Sequence, residues 1–149
     1  MEEEQVRNLI RGLLRNQRVG VLATDAENQP YTTLVGFTAD EELEHIYFVT
    51  TRTTRKFAAL SGNPKVSLLI DNRANESKDF REAMAVTAMG IAEEVEKSSH
   101  PDMVRRYLER LPQLEEFINS PTSALVRIKV RSYYLVTRFQ HVMELHILK

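Results

Sequence analysis

Apolar side chains near the N-terminus recur every three or four positions, between charged and polar ones. They are Val6, Leu9, Ile10, Leu13 and Leu14. On a helix of 3.6 residues per turn, this spacing forms one apolar stripe. The pattern therefore predicts an amphipathic helix over Glu3–Asn16, with the stripe packed against the rest of the protein.

The pattern then changes to short runs rich in β-branched and aromatic residues, which are typical of strands. The predicted strands are Arg18–Thr24, Tyr31–Thr38, His45–Thr50, Lys65–Asp71, Ala83–Glu96, Ala124–Val130 and Tyr133–Arg138. Polar turns at residues 25–30 and 39–42 separate the first three, which predicts an antiparallel meander. Gly90 lies inside the long fifth strand, where we expect a bulge or bend. Residues 72–79 are predicted to form a loop, and residues 139–149 a tail.

Two further helical segments complete the pattern. Residues 54–60 are followed by a glycine and a proline, the usual stop signals of a helix. Pro101–Leu111 has its apolar residues on one side, and Leu114–Ile118 extends it as a second short piece. An antiparallel sheet of this size closes into a barrel, because closure removes exposed edges. The sequence therefore predicts one mainly β domain, residues 1–149, with six or seven antiparallel strands in a barrel, an N-terminal helix and one or two peripheral helices.

The charges are nearly balanced. The 149 residues include 20 basic and 21 acidic side chains, for a net charge of −1. Nucleic-acid-binding proteins usually carry a basic excess, so no nucleic-acid partner is expected. The chain has no cysteine, which excludes disulfides, thiolate metal sites and cysteine nucleophiles. It has neither a signal-peptide pattern nor an apolar run of the roughly 18 residues that a membrane span needs. We therefore expect a cytoplasmic protein with no membrane partner.

Residues 50–56 combine four threonines and three basic residues in one short segment. Thr53 or Thr54 is suited to cap the helix that follows, which puts Arg55 and Lys56 in its first turn. Positive charge at that end of a helix costs roughly 0.3–1 kcal/mol per group, whereas a bound anion is stabilised there. The segment is thus a candidate site for a phosphate monoester. The alternative is a solvated helix start whose cations pair with acidic side chains. The segment contains no glycine and is not a P-loop, so a nucleoside triphosphate is not expected.

The segment from Gln29 to Leu69 resembles the FMN-binding split barrel of the pyridoxamine 5′-phosphate oxidase family. The shared features are a strand that begins at Pro30, a strand that ends at Thr50, the Thr54-Arg55-Lys56 helix start and the Asn63-Pro64-Lys65-Val66-Ser67 strand. The likeness is close over residues 19–71 and looser up to Gly90. It implies a split β-barrel and a homodimer that binds FMN at the subunit interface.

By position, the resemblance implies a role for each part of the site. Arg55 and Lys56, with the hydroxyl of Thr50, hold the phosphate of FMN. Residues 33–35 run along the edge of the isoalloxazine ring, mainly through backbone groups, and Val49 lines the approach of the ribityl chain. A residue of the second subunit completes such a site, and Arg138 is the candidate. The implied cofactor-binding residues are Thr33, Leu34, Val35, Val49, Thr50, Thr54, Arg55, Lys56 and Arg138.

The chain departs from the oxidase that gives the family its name. That enzyme has an Arg and a Lys on the strand after the proline, where this chain has Thr33 and Thr38. The Lys grips the phosphate of the substrate, so oxidation of vitamin B6 is not implied. The enzyme also has a Gln on its long strand, which residues 84–91 lack, and a Trp-rich C-terminal segment, whereas this chain has no Trp. The resemblance thus covers the cofactor site and not the substrate site.

Other chemistry has no clear signature in the sequence. The four histidines are scattered at positions 45, 100, 141 and 146, without the spacing of a metal site, so neither a metal nor a haem is expected. No nucleophile–base pair is fixed by sequence, and no catalytic residue is assigned. If the protein is an enzyme, the flavin performs the chemistry.

Three functions are consistent with these observations. The first is an FMN-dependent oxidoreductase that transfers hydride or electrons between a nicotinamide or similar donor and a small organic acceptor. The second is a non-catalytic flavin-binding or flavin-sensing module. The third is a split barrel that has kept the fold and lost the cofactor. The presence of Arg55 and Lys56 favours the first two.

Overall fold

A computed structural model describes residues 2–138 and 141–147. Its helices are α1 (Glu3–Asn16), α2 (Arg55–Gly62), α3 (Asp79–Glu82), α4 (Pro101–Arg110) and α5 (Glu115–Asn119). Its strands are β1 (Val19–Ala26), β2 (Gln29–Ala39), β3 (His45–Thr51), β4 (Lys65–Asp71), β5 (Ala85–Val95), β6 (Ser123–Thr137) and β7 (His141–His146). Among the described residues, no helix is long and apolar enough to cross a membrane.

All seven strands form one antiparallel sheet, in the order β3-β2-β1-β4-β5-β6-β7. A further pairing of β3 with β6 closes six strands into a barrel, and β7 extends the sheet beyond β6. The mainly β antiparallel barrel with an N-terminal helix, predicted from the sequence, is confirmed. The shorter helices α3 and α5 lie in connections between strands.

Two buried apolar clusters hold the helices against the barrel. The stripe of α1 is buried through Val6, Ile10, Leu13 and Leu14, and packs with the side chains that fill the barrel. A second cluster joins α4 and α5 to the outer surface of β3 and β6. Its fully buried members are Tyr47, Val49, Tyr107, Leu111, Ile118 and Leu125. Burial of these apolar surfaces stabilises the packing of α1, α4 and α5 on the sheet, at roughly 25 cal/mol per Å².

β6 is one strand of 15 residues where the sequence predicts two. Met89 of β5 pairs with Ser132 and Gly90 pairs with Val130, which leaves Arg131 as the extra residue of a bulge. The polar Arg131-Ser132 pair, which separates the two predicted strands, is therefore a bulge inside one strand. The bulge expected near Gly90 is confirmed. A Cβ atom at Gly90 would lie 2.3 Å from a carbonyl oxygen of β6, so only glycine fits there.

The structure differs from the sequence prediction at three other places. The predicted tail contains β7, in which only Leu145 is buried; residues 139–140 and 148–149 of that tail lie outside the described residues. The first predicted loop of residues 25–30 is a two-residue turn, because Glu27 and Asn28 both adopt positive φ (53° and 63°). This tight turn lengthens β1 and β2. Helix α3 also forms at the end of the predicted 72–79 loop.

Candidate phosphate-binding turn and the split of the barrel

Threonine hydroxyls hold the 50–56 turn at the start of α2. The Thr54 hydroxyl caps the helix by accepting the N–H of Phe57 at 3.3 Å, and it donates to the carbonyl oxygen of Thr51 at 3.0 Å. The hydroxyl oxygen of Thr54 also lies 2.8 Å from that of Thr50, which is a buried residue. Of the two predicted caps, Thr53 and Thr54, the structure selects Thr54. The shape of the turn is therefore fixed by its own side chains.

The three cations of the turn differ in their partners. Arg52 is neutralised by Glu94, with 2.6 Å between the guanidinium Nη2 and the carboxylate. Arg55 and Lys56 form no ion pair with any residue that the structure describes. Arg55 is exposed, and its guanidinium lies 5.3 Å from the centre of the Tyr31 ring. Lys56 is partly buried, and this burial lowers the pKa of its ammonium group. Two positive charges therefore remain to attract an anion.

Strands β2 and β3 separate beside this turn. They pair only at Phe37–Ala39, whereas β3 pairs with β6 as far as Thr51. Residues 33–35 of β2 pair with β1 on one side, and no described strand covers their other side. We call this opening, between residues 33–35 and residues 49–50, the split. In an antiparallel ladder alternate residues direct their N–H and C=O groups outward, so the β2 edge of the split presents free backbone groups.

Tyr107 of α4 lies where β2 and β3 diverge. Its hydroxyl donates to the carbonyl oxygen of Gly36 in β2 at 3.0 Å, and the backbone of Val49 in β3 faces the same hydroxyl and partly offsets the rise of its pKa. Burial raises the pKa of Tyr107 to about 12, so the side chain stays neutral. Gly36 leaves room for α4, since a Cβ atom there would lie 2.7 Å from a methyl group of Leu111. Sequence analysis missed Tyr107, because its contacts join residues far apart in the chain.

The remaining predicted residues occupy different surroundings. On β2, Leu34 is 68% exposed on the outer face of the sheet, while Val35 points into the core and offers only its backbone to a ligand. Thr33 precedes them on β2 and is partly buried. Val49 is buried on β3 at the split. Together with the Arg55–Tyr31 contact, these positions bring the turn and β2 to one region of the surface.

Arg138 lies away from this region. β6 begins at Ser123, which pairs with Thr51 beside the turn, and ends at Thr137. A strand advances about 3.3 Å per residue, so Arg138 is at the far end of β6, about 50 Å from Ser123 along the strand. Within one chain the structure does not bring Arg138 to the other predicted site residues. Its predicted role, from a second subunit, stays a prediction.

Thr38 is one of the two threonines that stand where the name-giving enzyme has basic residues, and it lies on β2. Thr38 is completely buried, and its hydroxyl oxygen has no hydrogen-bond partner among the described residues. Thr38 therefore presents no group at the surface of this chain. No group of three or more His, Cys, Asp or Glu side chains suited to a metal ion occurs in the part of the chain that the structure describes.

The sequence matches the family model described as pyridoxamine 5′-phosphate oxidase over residues 6–137. The chain belongs to this family. The matched region contains the 50–56 turn and both sides of the split. No curated protein gives a significant match to the sequence.

Solved structures share this fold at low sequence identity. A haem-binding protein from Mycobacterium smegmatis has a TM-score of 0.83 and 18% identity, over 94% of this chain and 57% of its own. General stress protein 26 from Bacillus anthracis has a TM-score of 0.72 and 19% identity, over 96% and 99% of the two chains. An FAD-binding protein from Mesorhizobium loti has a TM-score of 0.68 and 18% identity, over 91% and 94%. The chain spans just over half the length of the mycobacterial protein, and these likenesses establish the fold alone.

Proposed function

We propose that this member of the family is a flavoprotein that binds FMN. The observation that carries the proposal is the pair of cations Arg55 and Lys56, which have no ionic partner among the described residues and lie at the start of α2 beside the open edge of β2. A phosphate monoester carries a charge of about −1.5 to −2 at pH 7 and offers three acceptor oxygens. Two cations and the N–H groups of the first helical turn match that charge and those acceptors. The free backbone groups of residues 33–35 suit the polar edge of a flavin ring.

The family's flavin-binding members support this choice of ligand, since one neighbour of the same fold is named as an FAD-binding protein. Bound FMN supplies hydride and single-electron transfer. The chain itself would hold the phosphate through the 50–56 turn and orient the ring along β2. We propose an oxidoreductase that acts on a small organic substrate or a nicotinamide donor. The alternative is a non-catalytic flavin-binding or sensing module of the same fold.

We also propose that the protein is a homodimer. The outer face of the sheet carries neighbouring apolar side chains, since Leu34 pairs with Val21, which pairs with Leu69 of β4. Leu34 is 68% exposed and Met89, on β5 of the same face, is 43% exposed. Contiguous exposed apolar surface of this kind is typical of an interface between subunits. Sedimentation equilibrium should give a dimer for the wild-type protein and a monomer for Leu34→Glu. A monomeric wild-type protein would contradict the proposal.

FMN binding is tested by the visible absorption spectrum of the purified protein and by fluorescence titration with added FMN. We expect flavin bands, or uptake of one FMN per chain. Arg55→Gln and Lys56→Gln should each weaken binding about 10- to 100-fold, the effect of a lost charge-assisted hydrogen bond of roughly 1.5–3 kcal/mol. Arg52→Gln is the matched control in the same turn, because Glu94 already neutralises Arg52. It should change the affinity by less than about threefold.

Three outcomes would contradict the proposal: a colourless protein that takes up no FMN, an equal effect of all three substitutions, or a haem Soret band in place of flavin bands. The enzymatic and sensing alternatives are separated by NADH consumption of the FMN-loaded protein with a panel of small acceptors. Turnover that Arg55→Gln lowers supports the oxidoreductase. Bound FMN without turnover favours the sensing module.

A further inference from the structure

Four arginines converge where α1, α4 and the turn between β2 and β3 meet. Arg11 and Arg15 lie one turn apart on α1, and Arg106 and Arg110 lie one turn apart on α4. Glu41 of the β2–β3 turn lies among them, and the five side chains leave a cavity of only about 20 Å³. We name these five residues the arginine cluster. The cluster and the proposed FMN phosphate site lie at opposite ends of β3, whose seven residues span roughly 20 Å.

Glu41 is the shared partner of three of these arginines. Its carboxylate accepts hydrogen bonds from Arg15, whose Nε lies 3.3 Å from Oε1, and from Nη2 of Arg106 at 3.2 Å. Nε of Arg11 lies 3.9 Å from the same carboxylate and donates to the backbone carbonyl oxygen of Glu41 at 3.0 Å. The hydrogen bond from Arg15, together with the charges of Arg15 and Arg106, lowers the pKa of Glu41 and keeps it ionised. Three guanidinium groups therefore share one negative charge.

Arg110 adds a fourth positive charge, and it forms no ion pair with any residue that the structure describes. Its guanidinium donates to three backbone carbonyl oxygens, among them those of Arg15 at 2.9 Å and Phe37 at 3.1 Å. Burial, with the nearby charges of Arg18 and Arg106, lowers the pKa of Arg110. Carbonyl dipoles satisfy its hydrogen bonds and leave its charge without a counter-charge.

The second acid at the cavity has other partners. The carboxylate of Asp40 accepts the N–H of Glu44 at 2.8 Å and lies 2.9 Å from Nδ1 of His45. The arginine cluster therefore has four positive charges against one negative charge, an excess of three. It is also open to solvent, since the side chain of Arg15 is 60% exposed and that of Glu41 is 44% exposed.

We propose that the arginine cluster binds an oligophosphate, whose phosphate groups replace the carboxylate of Glu41 at Arg15 and Arg106. Guanidinium groups suit this ligand, because each can donate two parallel hydrogen bonds to phosphate oxygens. A phosphate monoester carries a charge of only about −1.5 to −2, whereas two or three linked phosphates match the excess of three positive charges. Glu41 occupies the site in the free protein, and its exposed side chain can turn out to solvent when the ligand binds. The site does not require the proposed flavin.

The test is isothermal titration calorimetry of the whole protein with inorganic triphosphate. We expect one triphosphate to bind per chain, and inorganic monophosphate to bind at least about tenfold more weakly. Arg15→Gln/Arg106→Gln should weaken triphosphate binding at least about tenfold, as expected for lost charge-assisted hydrogen bonds. Glu41→Gln removes the competing charge and should strengthen binding about two- to fivefold. Arg105→Gln is the matched control on α4, because Arg105 is exposed and pairs with Asp102; it should change the affinity by less than about twofold.

Two further titrations locate the site and identify the source of the ligand. The double variant Arg55→Gln/Lys56→Gln should bind triphosphate as the wild-type protein does, whether or not that protein binds FMN. ATP carries the same phosphate chain on a nucleoside, and its affinity should fall and rise in the same variants. Tighter binding of ATP than of triphosphate would identify a nucleotide as the source, and the opposite order a free oligophosphate; either order agrees with the proposal.

A purely structural role of the cluster gives different results. If Glu41 only holds α1 against α4, Glu41→Gln lowers the melting temperature and does not strengthen triphosphate binding, which overturns the proposal. The proposal is also overturned if Arg105→Gln and the Arg15/Arg106 double variant behave alike, or if monophosphate binds as tightly as triphosphate. Loss of binding in Arg55→Gln/Lys56→Gln would overturn it too, since the ligand would then lie at the 50–56 turn. Circular dichroism checks that each variant is folded, and Arg15→Gln alone serves if the double variant is not.

Discussion

The hydroxyl of Tyr107 is one of the contacts that join α4 to β2 beside the split. Tyr107→Phe removes that hydroxyl and keeps the ring. The carbonyl oxygen of Gly36 then loses its partner in a partly buried region. An unsatisfied buried polar group costs about 1–3 kcal/mol. We therefore expect the free energy of unfolding to fall by roughly 1–2 kcal/mol, which lowers the melting temperature by about 3–6 °C for a chain of this size.

A matched substitution is available in the same fold. Tyr133 is also fully buried, and its hydroxyl donates to the carbonyl oxygen of Leu43 at 2.9 Å, in the barrel core away from the split. Tyr133→Phe leaves one acceptor without a partner, so it should cost about 1–3 kcal/mol. Both variants should thus lower stability, and only Tyr107→Phe should also weaken FMN binding, by about three- to tenfold, because the β2 edge shifts relative to β3.

Stability is measured by urea unfolding followed with far-ultraviolet circular dichroism, and affinity by flavin fluorescence at a temperature where both variants are folded. The reasoning is refuted if Tyr107→Phe unfolds at the same urea concentration as the wild-type protein. It is also refuted if Tyr133→Phe weakens FMN binding as much as Tyr107→Phe does, since the effect would then follow from lost stability alone.

Three other substitutions test separate features. Thr54→Val removes the cap of α2 and should lower the free energy of unfolding in urea by about 1 kcal/mol. Thr53→Val removes an exposed hydroxyl and should lower it little. Equal losses of stability in the two variants would exclude Thr54 as the cap. Gly90→Ala places a methyl group against a backbone carbonyl and should lower the stability of the protein in thermal melts by at least about 1–3 kcal/mol. Gly12→Ala, in open space on α1, should raise that stability by about 0.5–1 kcal/mol. Burial lowers the pKa of Lys56 below the usual 10.5. As the pH rises, Lys56 therefore loses its charge, and the affinity for FMN should start to fall, at a pH below 10.5. The Lys56→Gln variant should not show this fall. The same shift makes the unfolded chain bind more protons in that window, so the stability of the free protein should rise there with pH.

The sequence predicts the elements whose signals are local. The stripe of α1 repeats with the helical period, and α2 begins beside a residue that can cap it, so both helices are found from spacing alone. The turn before Arg55 and Lys56 is found for the same reason, because its chemistry lies within seven consecutive residues.

Features that depend on distant parts of the chain are missed. The Arg131 bulge looks like a turn, since two polar residues interrupt an apolar strand, and only the register with β5 identifies it. β7 has one buried side chain, Leu145, too few for an alternating pattern. Tyr107 has the spacing of an ordinary core residue of α4, and its role follows from the positions of Gly36 and Val49.

The closure of the barrel through β3 and β6 also sets the order in which the chain can fold. β1, β2 and β3 are neighbours in sequence and can pair early, but β3 completes the barrel only with β6, which follows much later in the chain. Pairing of distant segments is slow, because the entropy of closing a long loop is lost before the contacts form. During synthesis, the apolar inner faces of the first strands therefore stay uncovered until β6 has left the ribosome. A nascent chain that ends before Ser123 has every residue of the 50–56 turn and no closed barrel to hold it, so ligand binding at the turn should appear only after β6 is made.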